Sequence, residues 1–228
     1  MTVKNVVIVG AGGVLGEAVG REFLAGGYAV VGLRREGSTT TGDTGCRIVS
    51  CDLQDPAEVQ HTVTRLVAEL GRIDVLICNT AQLVIAPFAE LTASNFESVW
   101  RAGVVSAIGS VQSVLPTMID QGSGAIIFTG ATASTRGSAH FAAFASAKFA
   151  LRGLAQSLAR EYQPRGIHVV HVVLDGLLRG SASQTRFGGD AGNCIDPNQV
   201  AKTYRWLAEQ HASAWTHEVD IRPSGENF

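Results

Sequence analysis

Val6-Val7-Ile8-Val9-Gly10-Ala11-Gly12-Gly13-Val14-Leu15-Gly16 is the stretch that decides the fold. Four β-branched residues run into a glycine turn, after which apolar Leu15, Val19 and Phe23 recur at helical spacing. Glycines at a strand-to-helix turn permit left-handed backbone and close approach of a ligand. The helix start beyond them directs unpaired N–H groups and a partial positive charge at a pyrophosphate. Gly10, Gly12, Gly13, Leu15 and Gly16 are therefore candidate nucleotide-binding residues, with packing between strand and helix as the plainer use of the same glycines.

Outward from this turn, short Val/Ile/Leu runs alternate with helical patterns to the end of the chain, the mark of a parallel sheet with helices on both faces. Seven strands are predicted: Val6 to Val9, Ala29 to Leu33, Arg47 to Cys51, Ile73 to Cys78, Ala125 to Thr129, Ile167 to Leu174 and Glu218 to Ile221. The class is α/β, a Rossmann-like doubly wound sheet. Asp55-Pro56-Ala57-Glu58 and Asp196-Pro197-Asn198-Gln199 each join a cap, a first-turn proline and a residue placed for a capping box, and both predict helix starts. The link from Arg35 to Arg47 is a Gly/Ser/Thr-rich loop (Gly37 to Gly42), so one crossover helix is expected to be missing or reduced. A second polar, glycine-rich stretch, Arg179 to Asn193, has no apolar face in its pattern. It makes 177–196 a candidate mobile lid on a single domain spanning 1–228.

The 228 residues are 46% hydrophobic and 17% charged, enough to bury one substantial core. Eighteen basic against twenty acidic residues give a net charge of −2, which leaves no basic excess for a phosphate backbone or an anionic membrane surface. No uninterrupted apolar run approaches the roughly 20 residues of a spanning helix, and the N-terminus has no export pattern, so a cytoplasmic location is expected. Cys46, Cys51, Cys78 and Cys194 show no metal-type spacing and are expected as thiols.

The glycine turn resembles the T-G-x-x-x-G-x-G turn of the short-chain dehydrogenase/reductase family, with Val9 for the Thr and Val14 for the middle glycine. The likeness continues in order along the chain. Cys51-Asp52-Leu53 is similar to the family's adenine-contacting segment, Cys78-Asn79-Thr80-Ala81 to its N-N-A-G, and Leu115-Pro116 to the end of its long fourth helix. Phe144-Ala145-Ser146-Ala147-Lys148 is similar to its Y-x-x-x-K, and Asp175-Gly176 to its Pro-Gly. The resemblance implies cofactor contacts at Asp52, Leu53, Asn79 and Lys148, a small-molecule substrate, and a homodimer or homotetramer built through the fourth and fifth helices.

The family's chemistry is another matter. The proton-transferring Tyr is replaced by Phe144, the carbonyl-polarising Ser falls on Ala131 and the relay Asn on Gly103, leaving only Lys148. This pattern is similar to an atypical subgroup with Phe for Tyr. General acid catalysis is worth roughly 10² to 10⁴ in rate and one oxyanion donor roughly 10² to 10³, so plain ketone reduction should be very slow. At the end of the second strand, where NAD-dependent relatives carry an acid, stand Arg34 and Arg35, suited to a 2′-phosphate, so NADP is favoured over NAD; a solvated strand end is the other use of such a pair.

Other polar groups are candidates for the missing chemistry. His140, four residues before Phe144, would share the face of Phe144 and Lys148 if the helix began early; otherwise it is a cap or surface residue. Asp175 would stabilise positive charge on cofactor or substrate, or serve as a turn acid bonded to backbone. Thr129, Thr132 and Ser134 flank Ala131, and Thr129 is the one on the strand face expected to meet substrate, with ordinary strand-end polarity as its plainer use. Two functions follow. One is an oxidoreductase using NADP(H) on a substrate needing little proton assistance, an iminium ion (which Asp175 would favour) or a conjugated C=C. The other is a catalytically degenerate NADP(H)-binding pseudoenzyme or partner subunit.

Overall fold

The computed structural model describes residues 3–36 and 45–225. Seven parallel strands, β1 (Asn5–Val9), β2 (Ala29–Arg34), β3 (Arg47–Ser50), β4 (Val75–Cys78), β5 (Gly124–Thr129), β6 (Ile167–Leu174) and β7 (Glu218–Ile221), form one sheet in the order β3-β2-β1-β4-β5-β6-β7. All seven predicted strands are present, with ends shifted by two residues at most. The largest shift is at β4, where Asp74 leaves the strand to accept hydrogen bonds from the Asn5 amide (2.8 Å) and the Arg72 guanidinium. The outer strands follow from a change of direction between β3 and β4, and the crevice at that change of direction is where open α/β sheets hold ligands.

Side chains alternate across the sheet. Val7, Val9, Leu76, Cys78, Ile126 and Phe128 face one core with helices α2 (Pro56–Leu70), α4 (Ser106–Gln121) and α5 (Ala142–Tyr162). Val6, Ile8, Val75, Ile77 and Ile127 face the other, against α1 (Gly13–Ala25) and α7 (Pro197–Ala208). Burial on both faces explains why the central strands read as continuous apolar runs. Both predicted helix starts hold: Asp55 accepts from Ala57 N (3.1 Å) and Asp196 from Asn198 N (2.9 Å), each with proline next. Glu58 differs from the expected box, reaching past the cap to the Asp52 amide at 3.1 Å.

The loop from Gly37 to Gly42 lies outside the described residues. Helix α3 (Ala93–Trp100) runs through a π-helical turn, Arg101–Val105, into α4, giving one helix over 93–121. By length and composition this helix could cross a membrane, which the uninterrupted-run criterion missed; 61% of its most apolar window is buried inside the protein. After β6, the predicted featureless stretch carries a six-residue helix, α6 (Ala182–Phe187), started by Ser181 Oγ accepting from Gln184 N at 3.1 Å. A parallel bridge from Leu178 to Ile195 ties its base.

Candidate active site

A cleft of about 630 Å³ opens at the carboxyl ends of β1, β4, β5 and β6. Its β1 side is the glycine turn. Gly10 N and Ala11 N donate to Leu33 O (3.0 and 2.9 Å), which anchors the turn to β2, and Asn79 Nδ2 donates to Gly10 O (2.8 Å), which anchors it to β4. Gly12, Gly13, Leu15 and Asn79 line the cleft. Gly12 caps α1 without any side-chain hydrogen bond, so no side chain competes for the first-turn N–H groups. Gly16 lies one layer deeper, where a Cβ would stand 2.6 Å from Gly10 O and from the Ala11 carbonyl carbon. An open, anion-facing turn without side chains fits a dinucleotide pyrophosphate.

Arg34, Arg35, Asp52 and Leu53 do not line the concave part of the cleft. Arg34 ends β2, half-buried, one residue beyond the carbonyl that holds the turn, and exposed Arg35 follows. Asp52 is exposed, its Oδ1 accepting from Gln54 N (3.0 Å), while Leu53 packs on the core and its carbonyl accepts from Ser106 Oγ (3.3 Å).

At the β5 side, α5 presents Phe144 and Lys148 one turn apart. Lys148 is 5% exposed and its Nζ donates to Thr129 O at 2.8 Å. Burial lowers its pKa to about 8, because the interior disfavours the charged form. Its Nζ lies 5.6 Å from the centre of the Phe144 ring. Ala131 lines the same cleft, and Gly103, in the π-helical turn, stands behind Phe144 and Lys148 across a small internal cavity. The three positions read as lacking Tyr, Ser and Asn thus surround Lys148 and bring it no hydroxyl or amide.

His140 does not join them. Helix α5 begins at Ala142, and His140 precedes it in left-handed backbone (φ 72°), exposed, with its carbonyl accepting from Ala86 N. Asp175 is fully buried and absent from the cleft wall. It accepts from Thr132 Oγ1 (2.6 Å) and from both terminal nitrogens of Arg136 (3.1 and 3.2 Å), and Arg222 stands 3.4 Å away. Burial raises its pKa, but the Thr132 and Arg136 hydrogen bonds and the two guanidinium charges outweigh that and hold the carboxyl below the ordinary aspartate value. Its charge is spent inside the protein. The Thr129 hydroxyl is also turned away, bonded to Tyr204 at 2.9 Å on the α7 side of the sheet.

Several wall residues had no sequence signal. Ser138, Ser181 and Ser183 bring hydroxyl-bearing side chains, and Phe187 reaches over from α6 to Phe141, ring centres 6.1 Å apart. Beneath the cleft floor, buried His171 bonds Glu218 at 3.0 Å, and Glu218 in turn pairs with Arg152. Burial pushes His171 down to about 4, so the imidazole is neutral, and a Cβ at Gly130 would lie 2.5 Å from its Nε2. Among the described residues there is no cluster of metal-ligating side chains.

The profile of the family described as short chain dehydrogenase matches residues 4–185. The chain belongs to the short-chain dehydrogenase/reductase family. D-threitol dehydrogenase from Mycolicibacterium smegmatis is 30% identical, with 96% of this chain and 90% of that protein covered. The 3-oxoacyl-(acyl-carrier-protein) reductase FabG of Escherichia coli is 26% identical over 95% of this chain and 94% of its own. A short-chain dehydrogenase structure from Rhodopseudomonas palustris superposes with a TM-score of 0.81 at 36% identity, covering 96% of this chain and 98% of its own. A metagenomic short-chain oxidoreductase in complex with NADP has the same fold at 23% identity, with a TM-score of 0.81 and 98% of both chains covered.

Proposed function

We propose that this chain is an oxidoreductase of the Phe-for-Tyr kind that uses NADP(H) to reduce a conjugated C=C bond. One observation carries the reading: among the described residues lining the cleft, Lys148 is the sole charged side chain, and Phe144, Ala131 and Gly103 surround it. A lone cation favours a transition state that develops negative charge and disfavours an iminium ion. Asp175, the residue that would have favoured the cationic substrate, has its charge met by Arg136 and Arg222. Asp175 and His140 therefore have no part in the chemistry proposed.

When bound, a reduced nicotinamide would supply the hydride, and with it the two electrons, that the β-carbon takes up. The π pair of the C=C moves onto the carbonyl oxygen as an enolate, which the Lys148 ammonium stabilises. A proton from solvent or from Lys148 then reaches the α-carbon and the carbonyl is restored. Lys148 also suits the nicotinamide ribose, Asn79 holds the glycine turn in shape, and the segment 177–196 acts as the lid of a single catalytic unit. Exposed Trp100, Val105 and Phe149, on α3, the π-helical turn and α5, support a homodimer or homotetramer.

The test is NADPH consumption with 2-cyclohexenone, saturated ketones and cyclic imines. Turnover confined to the enone is expected; imine turnover or robust ketone turnover overturns the proposal, and NADPH binding without any turnover favours the pseudoenzyme. Enone reduction should fall about tenfold per pH unit above about 8, because Lys148 loses its proton there and with it the charge that stabilises the enolate. A flat profile from pH 7 to 10 would remove Lys148 from the chemistry.

Arg34 and Arg35 set the cofactor preference. Calorimetry should show NADPH binding about tenfold or more tighter than NADH, with Arg34→Ala narrowing the gap, because a guanidinium meets a 2′-phosphate better than a 2′-hydroxyl. Equal affinities in the wild type would remove both arginines from the site.

A further inference from the structure

Four polar side chains of the cleft wall already bond the protein itself, and Ser138 and Ser183 are the hydroxyls left over among the described residues. The Thr129 hydroxyl bonds Tyr204, the Thr132 hydroxyl donates to Asp175, the Asn79 amide donates to Gly10 O, and Ser181 Oγ caps α6. A polyol or a sugar, whose hydroxyls each need a partner on leaving water, finds little beyond these two serines and Lys148.

The apolar side chains are the opposite case. Phe187 is 45% exposed although it sits on a short helix held by a cap and a strand bridge. Its ring leans on Phe141 at 35° with centres 6.1 Å apart, and Phe144 forms the neighbouring wall. The segment that carries Phe187 also crosses the glycine turn, since a Cβ at Gly180 would stand 3.3 Å from Val14 Cγ1. Three phenyl rings facing one cleft, on elements that also shape the cofactor turn, match a flat apolar group.

We infer that the substrate is an uncharged conjugated carbonyl compound with an aryl group, and that Phe187 together with Phe141 is the specificity-determining wall that receives the ring. The inference rests on the reading of the site as an enone reductase. It takes the aryl group to lie between the Phe141–Phe187 pair and Phe144, which leaves the conjugated carbon chain running toward Lys148.

Two measurements separate the failure of this inference from failure of that reading. The first compares kcat/KM for 4-phenyl-3-buten-2-one and 2-cyclohexenone: the aryl substrate should be preferred at least about tenfold, and Phe187→Ala should reduce that preference about tenfold, mainly through KM. The second needs no turnover. Calorimetry on the NADP⁺-loaded protein should show binding of 4-phenyl-2-butanone and none of erythritol, with the aryl ketone's affinity falling about tenfold in Phe187→Ala. Aryl binding without enone turnover keeps the Phe141–Phe187 wall as an aryl subsite and removes the enone reading, and with it the conjugated carbonyl. Erythritol bound as well as the aryl ketone overturns it, as does a Phe187→Ala variant whose only change is weaker NADPH binding.

Discussion

Phe144→Tyr alone is expected to leave the reduction of simple ketones at background, and Phe144→Tyr with Ala131→Ser and Gly103→Asn to raise it by about 10⁴-fold or more. The single variant places a phenol near Lys148, whose Nζ already lies 5.6 Å from the ring centre. It leaves the carbonyl oxygen with no hydroxyl partner, because Ala131 lines the cleft with a methyl group and the Thr129 hydroxyl is held by Tyr204. A phenol beside a carbonyl that nothing orients contributes little. The triple variant has room to fold: a Cβ at position 103 meets nothing within 4 Å, so Asn can enter the π-helical turn. The measurement is NADPH consumption over a ketone panel for the wild type, the single variant and the triple variant. A large gain in the single variant would mean that the remaining site already orients ketones; brisk wild-type turnover would mean that another donor, such as Ser138, does the work of the phenol.

The sequence carried the sheet because its strands are buried on both faces. Six of the eight residues of β6 are Val, Ile or Leu, and all eight are buried between the helix layers. Short-range chemistry was legible too, as Asp55-Pro56 and Asp196-Pro197 show, since cap and capped amide lie two residues apart. The gathering of Phe144, Ala131 and Gly103 around Lys148 was legible through resemblance, which supplies the spatial register that spacing alone does not. What failed depended on distant partners. Asp175 is neutralised by Arg136, 39 positions earlier, and Arg222, 47 positions later, and no local pattern announces either pair. Strand alternation holds at Thr129, which shares the face of Ile127 opposite Phe128, but that face turns its hydroxyl to Tyr204 of α7 and not to a substrate. His140 was conditional on an early helix start, which the left-handed backbone at that residue prevents. Phe187 is a single aromatic in a polar run, invisible to any periodicity until the fold brings Phe141 beside it.

Gly16→Ala and Gly13→Ala, three residues apart, should fail in different ways, and the contrast tests whether the glycine turn is a binding device or only a packing one. Gly16 is buried, and the added methyl carbon would lie 2.6 Å from Gly10 O and the Ala11 carbonyl carbon, both backbone atoms tied to β2 through Leu33 O. No flexible side chain can yield, so α1 must move off the turn. Overpacking of this kind costs about 1–3 kcal/mol, and the displaced first-turn N–H groups should weaken NADPH binding about 100-fold or more. Gly13 has left-handed backbone (φ 74°), which costs a side chain about 1–2 kcal/mol, yet its Cβ meets no protein atom within 4 Å. Because Gly13 lines the cleft, the methyl is expected to crowd the space assigned to the pyrophosphate. Denaturant unfolding and calorimetry on the two variants would separate the effects. Gly13→Ala should lose as much NADPH affinity as Gly16→Ala for a smaller loss of stability. If Gly13→Ala binds NADPH like the wild type, the space in front of that residue is not where phosphates lie, and the glycines serve the packing of α1 on β1 alone.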